Sequence, residues 1–497
     1  MKLVVGISSL LLVTFGASAA ADRFDGARAA IRQHMLEANV PAVSVAVSQR
    51  GKILWEEGFG WADKEKRVAA TEHTMYSLAS LTKPITATAV MTLVQAGKID
   101  LDQPINDYLG DAKLKAWIGN EREVTVRRVI DHTSGLASGS QFFYGDERSL
   151  KPSMDLTILR YGHLVAPAGE RYEYSNLGYG VLDYVVERVS GKNFPRFMRA
   201  EVFAPLGMTH SSVDVGPGLD KYQAVRYDRM GQPIPFYTTA EPGAAAMYSS
   251  AHDLIRFGMF FLKNRLPDQR PILSDASINQ MLRAPADLKD VEAQGGAPGN
   301  VGWQVRRNGN YAVFGHAGSM AGVTTELSMI PAQDVSVVVL SNASMGSKLY
   351  KIRDEVLKPV LPDWQPTPAN KPVQPVVFQP PPDLIGAWEG AIQTYERELP
   401  VRMTILATGD VHLQVGTQLA TLLDKVEFKD GRLTGSTLAQ IDTSDTKRHP
   451  HTVTLSLKLR GDVLNGQASA NSVPDPRWTW IYGLPHWIEL KKVGDAT

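Results

Sequence analysis

Ser80-Leu81-Thr82-Lys83 sets a hydroxyl and an amine three positions apart, ahead of an apolar run through Ile85, Val90, Leu93 and Val94 with helical spacing. If Ser80 begins that helix, Ser80 and Lys83 project from one face a single turn apart. The hydroxyl would then lie at the positive end of the helix dipole beside an ammonium, which favours a developing alkoxide. Pro84 is compatible, because first-turn amides have no intrahelical acceptor. Tyr174-Ser175-Asn176 precedes a second helical stripe of Leu177, Val181, Leu182, Val185 and Val186. A tyrosine there can act as a base if a nearby ammonium lowers its pKa from about 10. Asn176 could hold a substrate amide or carbonyl while orienting Lys83. His316-Ala317-Gly318-Ser319 lies between a strand-like run at 311–314 and another from Val323. Gly318 would admit a substrate close to the backbone, and the N–H of Ser319 could face an oxyanion. Each motif also has an ordinary reading: a serine or asparagine N-cap, a surface lysine, a packed tyrosine, a glycine-rich bend with a hydrogen-bonded histidine.

The elements that must position these residues are legible around them. Residues 43–47 lead through Arg50-Gly51 into 53–55, a hairpin pattern. A long, mainly helical middle follows, with Ser250-Ala251-His252-Asp253 capping one apolar helix. Strand patterns return at 324–330 and 335–340, and a helical pattern closes at 349–360. Strands at both ends of a helical middle imply one antiparallel sheet assembled from the two termini, with helices packed on it, an α+β fold. Eight prolines between Pro362 and Asp383 read as a semi-rigid linker. Beyond it the pattern has period two: Val401, Met403 and Ile405, then Val453, Leu455 and Leu457. The turn pairs Gly409-Asp410, Asp430-Gly431 and Gly461-Asp462 separate these runs, so an all-β meander closed into a barrel is expected.

Composition narrows the function. At 497 residues, 43% hydrophobic and 21% charged, the chain is long enough for two or three globular domains. Lys+Arg and Asp+Glu are both 52, without blocks of like charge, which argues against nucleic-acid partners and anionic membrane surfaces. Lys2, the apolar stretch 3–15 and Ala17-Ser18-Ala19 have the order of a cleaved signal peptide, so export to the periplasm or medium is expected, with no membrane anchor. There is no cysteine, which excludes disulfides, thiol catalysis and thiolate metal sites. The expected domains are a signal peptide at 1–21, a catalytic domain at 22–361, a linker at 362–383 and a barrel at 384–497.

Taken in order, Ser80-x-x-Lys83, Tyr174-x-Asn176 and His316-x-Gly318 resemble the three motifs of the penicillin-recognising serine hydrolases. That group includes class C β-lactamases, D-Ala-D-Ala carboxypeptidases, D-aminopeptidases and esterases. The run Thr125 to Leu136, with Asp131-His132-Thr133-Ser134-Gly135, is similar to the family's segment ahead of the tyrosine motif, as are Pro167-Ala168-Gly169-Glu170 and Pro205-Leu206-Gly207-Met208. The resemblance covers most of residues 25–360. It implies a β-lactamase/transpeptidase-like fold and an acyl-enzyme on Ser80. Tyr174, balanced by Lys83, would take the serine proton, and the N–H groups of Ser80 and Ser319 would hold the oxyanion. No metal or cofactor is implied; the partner is a small or peptide substrate. β-Lactamases of this type usually carry lysine where this chain has His316, as carboxypeptidases and aminopeptidases of the group do not. Leu384-Ile385-Gly386-Ala387-Trp388 resembles the opening strand of a lipocalin-like barrel, carried by some peptidases of the group as a wall over the site or as an appendage. Three readings stay open: an amide or ester hydrolase, a true β-lactamase, and a non-catalytic binding protein.

Overall fold

A computed structural model describes residues 22–283, 300–368, 377–475 and 480–494. The expected signal peptide and the segment 284–299 lie outside the described residues, as does 369–376 of the linker. Among the described residues no helix is long and apolar enough to cross a membrane.

The first strand, Ala42–Gln49, is buried on both faces and sits between partners from opposite ends of the sequence. Val43 pairs with Ser341 of Val335–Ser341 on one side and with Phe59 of Lys52–Asp63 on the other. Arg50 and Gly51 both have positive φ, 50° and 73°, the conformation a tight two-residue hairpin needs. Val323–Ile330, Tyr311–Met320 and Gln304–Asn308 complete the antiparallel run, with Val68–Ala69 at the far edge. Period two then assigns the faces. Val43, Val45 and Val47 point to a core closed by the helices Asp25–Ala38 and Lys348–Leu357. Ala42 and Ala46 point to a larger core containing the helices Ala251–Phe261 and Thr82–Gln95. The small alanines let helix Ala251–Phe261 lie close against the sheet. Ser250 caps that helix, accepting from the Asp253 N–H at 3.1 Å.

Strands from Gly386–Gln393 to Tyr482–Gly494 form a nearly closed antiparallel barrel, whose path runs from Thr421–Leu422 round to Asp424–Lys429. Thr437 bridges the remaining gap, with its Oγ1 donating to the Leu422 carbonyl at 3.0 Å. Alternate residues Val401, Met403, Ile405, Val453, Leu455 and Leu457 fill the interior. Trp388 is fully buried and donates to the Leu384 carbonyl at 2.9 Å.

The two parts share hydrogen-bonded strands. Tyr482 and Gly483 of the last barrel strand pair with Gln141 and Ser140, and Ser140–Tyr144 continues onto Tyr237–Thr239. Asp445 of the barrel accepts from Arg160 at 2.8 Å and from the Tyr161 hydroxyl at 2.6 Å. Residues 140–144 therefore form part of the seam between the two parts.

Candidate active site

Ser80 lies in a short 3₁₀ turn, Ala79–Leu81, that leads into helix Thr82–Gln95. The helix starts later than the spacing suggested. Ala79 has φ of 49°, a left-handed conformation costing a residue with a Cβ about 1 kcal/mol or more. The turn is held from the sheet: Thr325 Oγ1 donates to the Leu78 carbonyl at 2.8 Å. Lys83 still comes back onto Ser80. Its Nζ is 3.3 Å from Ser80 Oγ, 2.7 Å from Asn176 Oδ1 and 3.1 Å from the Ala244 carbonyl oxygen.

Asn176 reaches Lys83 because its neighbour does the capping. Ser175 is the N-cap of helix Asn176–Ser190, its Oγ accepting from the Gly178 N–H at 3.0 Å and donating to the Ala137 carbonyl at 2.7 Å. Tyr174 precedes it, with its ring centroid 4.7 Å from Lys83 Nζ and its hydroxyl bonded to Ser80.

The protonation states differ from the sequence expectation. Lys83 is completely buried, and burial holds its amine well below the usual range, against a smaller upward pull from Glu241. Burial likewise raises the Tyr174 phenol above its ordinary value, outweighing the bond to Ser80. The expected ammonium that would lower the phenol is not supplied. With the amine uncharged, two N–H groups can serve the carbonyl oxygens of Asn176 and Ala244, which leaves the lone pair for the Ser80 hydroxyl.

His316 and Gly318 lie within one continuous strand, Tyr311–Met320, and not in a bend. A carbonyl can only accept, so the 2.7 Å contact to Ala317 O puts the proton of His316 on Nδ1 and leaves Nε2 as an acceptor. Burial pushes the imidazole down to about 3, so it is neutral at physiological pH. Gly318 also has a packing role. A Cβ there would stand 2.1 Å from Leu78 O and 2.5 Å from Thr325 Oγ1, so the missing side chain lets the strand close on the nucleophile turn. Ser319 is exposed beside it, in register with Thr324.

Two further residues belong to this cluster. His132, at φ 63°, is buried against Tyr174 with ring centroids 4.4 Å apart, and its Nδ1 accepts from the Ser175 N–H at 3.0 Å. Glu241 is buried behind the seam strands, accepts from Thr239 Oγ1 at 2.8 Å, and is pushed up to about 7 by burial. The sequence signal for His132 was its place in the run 125–136; Glu241 had none. Among the described residues no group of three or more His, Asp or Glu is arranged to hold a metal. His449 faces Glu147 at 3.0 Å, and His451 Nε2 accepts from the Ile441 N–H at 3.0 Å.

Known proteins resemble this chain in sequence and in fold. The Beta-lactamase family profile matches residues 27–358. Protein flp of Staphylococcus aureus (strain MRSA252) is 26% identical over 317 residues, 63% of this chain and 61% of that protein. The match thus reaches less than two thirds of that relative's length. Penicillin-binding protein 4 of Amycolatopsis lactamdurans is 27% identical over 347 residues, 66% of this chain and 86% of that protein. A class C β-lactamase structure aligns with a TM-score of 0.55 at 20% identity, covering 68% of this chain and 96% of its own. The SurE structure aligns with a TM-score of 0.63 at 21% identity, covering 92% of this chain and 99% of its own. The octameric penicillin-binding protein homologue from Pyrococcus abyssi aligns at 0.55 and 22% identity, covering 94% and 99%. The last two share the fold across the barrel as well. The chain belongs to the Beta-lactamase family, a family of serine hydrolases.

Proposed function

We propose that the protein hydrolyses amide or ester bonds of small substrates, peptides with D-residues among them, through an acyl-enzyme on Ser80. The observation that carries this reading is the contact set of Lys83, which fits an uncharged amine whose lone pair faces the nucleophile. Lys83 takes the Ser80 proton as Oγ bonds to the carbonyl carbon. The backbone N–H groups of Ser80 and Ser319 hold the oxyanion, each contributing about 2.7–4 kcal/mol by analogy with such donors. As the C–N or C–O bond breaks, protonated Tyr174 gives its proton to the leaving amine or alcohol and recovers one from the Lys83 ammonium. Water then attacks the ester, losing its proton to the same base, and the acid departs with Ser80 restored. Tyr174, assigned from the sequence as the base, becomes the acid because burial keeps its proton on.

The D-residue preference is supported by neighbours only: a SurE structure holds D-Leu, and a D-alanine carboxypeptidase from Burkholderia cenocepacia shares the fold. A true β-lactamase is disfavoured by His316, which is neutral and presents an acceptor where lysine would meet a carboxylate. The N-terminal pattern supports export, so a periplasmic or secreted mature chain is part of this proposal. The test is kcat/KM on D-peptides, a neutral nitrophenyl ester and a nitrocefin-like β-lactam. The β-lactam should fall below roughly 10⁴ M⁻¹s⁻¹ and gain relative to the ester in His316→Lys. A β-lactam rate above that level would overturn the substrate reading.

A further inference from the structure

The barrel carries a row of cations that its own fold does not explain. Lys429 stands directly opposite Arg432, and Arg432 directly opposite Lys458, on three adjacent strands. Like charges in register destabilise a sheet, yet among the described residues none of the three has an ion-pair partner. Lys458 Nζ donates only to the Asp430 carbonyl, at 2.5 Å. The half-buried Arg432 makes a single bond, a 3.3 Å donation to Ser456 Oγ, so most of its five donors are unused. Burial, with the neighbouring Arg171 and Arg460, depresses its pKa, against upward pulls from Glu173 and Glu170.

These residues line a cavity of about 640 Å³ between the barrel and the catalytic part. Arg460 and Arg171 also line it, and both already share Glu170, Arg171 with Glu173 besides. Glu427 and Asp430 bring the lining to five cations against three carboxylates. The uncompensated charge is concentrated at Arg432, where a guanidinium fork can take two oxygens of one ligand.

We propose that this cavity is a binding site for a small polyanion with two or more oxyanion groups, held by Arg432 with Lys429 and Lys458 on either side. The site is separate from Ser80, and it adjoins the segment Glu170 to Glu173 that runs into Tyr174. A built-in repulsion that a ligand relieves is a stability cost kept for binding.

The test is calorimetric titration of the full-length protein at low ionic strength with pyrophosphate and, separately, citrate. One or both should bind in the sub-millimolar range, weaken as salt is added, and raise the melting temperature. Preference between the two tells phosphate from carboxylate as the recognised group. Arg432→Gln should weaken binding by roughly tenfold or more, whereas Lys491→Gln, an exposed barrel cation, should not. Without anion, Arg432→Gln should melt at or above the wild-type temperature, because a repulsion is removed. Failure of both anions to bind by about 10 mM, equal affinity in Arg432→Gln, or a lower anion-free melting temperature in that variant would each overturn the proposal.

Discussion

Lys83 reaches Ser80 with its charge removed by burial, and Glu241 is the acid that opposes this by raising the amine's pKa. Glu241→Gln removes that pull, so the Lys83 pKa should fall further. The active form is the free amine, and the acidic limb of kcat/KM should therefore move to lower pH. A limb that stays in place, or moves up, would show that Glu241 does not act on the base; the profile of kcat/KM against pH for both proteins measures it. At this scale the residue set was readable from three motifs in order and the family they resemble, and Ser80, Lys83, Tyr174, Asn176 and His316 do converge. Their protonation was not. Whether tyrosine or lysine holds a proton depends on burial by segments such as 241–247 that lie far away in sequence. The tautomer of His316 likewise follows from one backbone carbonyl.

Strand Tyr311–Met320 and the turn Ala79–Leu81 work as a pair, with Gly318 as the point of contact. Gly318→Ala must push the strand and turn apart, and a displacement near 1 Å can cost about a hundredfold in rate. We expect kcat/KM to drop by about that factor with a lower melting temperature, whereas wild-type values for both would show that the close approach is dispensable. The ordinary reading of the motif at 316–319 was a glycine-rich bend, and the structure has a continuous strand there. The glycines serve proximity instead: a Cβ at Gly315 would stand 2.6 Å from Leu327 O across the ladder. By contrast, the hairpin at Arg50-Gly51 and the alternation in the barrel were legible because turn chemistry and period two are local.

Across the whole molecule, the seam between catalytic part and barrel buries two histidines. Burial holds His163 down to about 4 and His486 to about 3, and among the described residues neither ring nitrogen of His486 has a hydrogen-bond partner. The unfolded imidazole binds protons from about pH 6.5 downward while the folded one does not, so stability falls as pH drops from there to about 4. For His163 the loss is on the order of 3 kcal/mol. Melting curves at pH 7 and pH 4.5 should show the decrease, smaller in His486→Phe; an equal decrease in the variant would remove His486 as a cause. The pattern of helices, sheet and barrel was legible along the chain, but this seam was not. Residues 140–141 pair with 482–483 across more than half the sequence, and no local pattern marks so distant a partner.

The central claim is that buried, uncharged Lys83 activates Ser80 for covalent chemistry. The most direct measurement is the rate and site of fluorophosphonate labelling, followed by peptide mass spectrometry across pH. The adduct should map to Ser80, form faster as pH rises through a pKa well below the ordinary lysine value, and be abolished in Ser80→Ala. In Lys83→Met, labelling should slow by at least about a hundredfold, with the fold retained. An adduct on another residue, no adduct at all, or a wild-type labelling rate in Lys83→Met would contradict it.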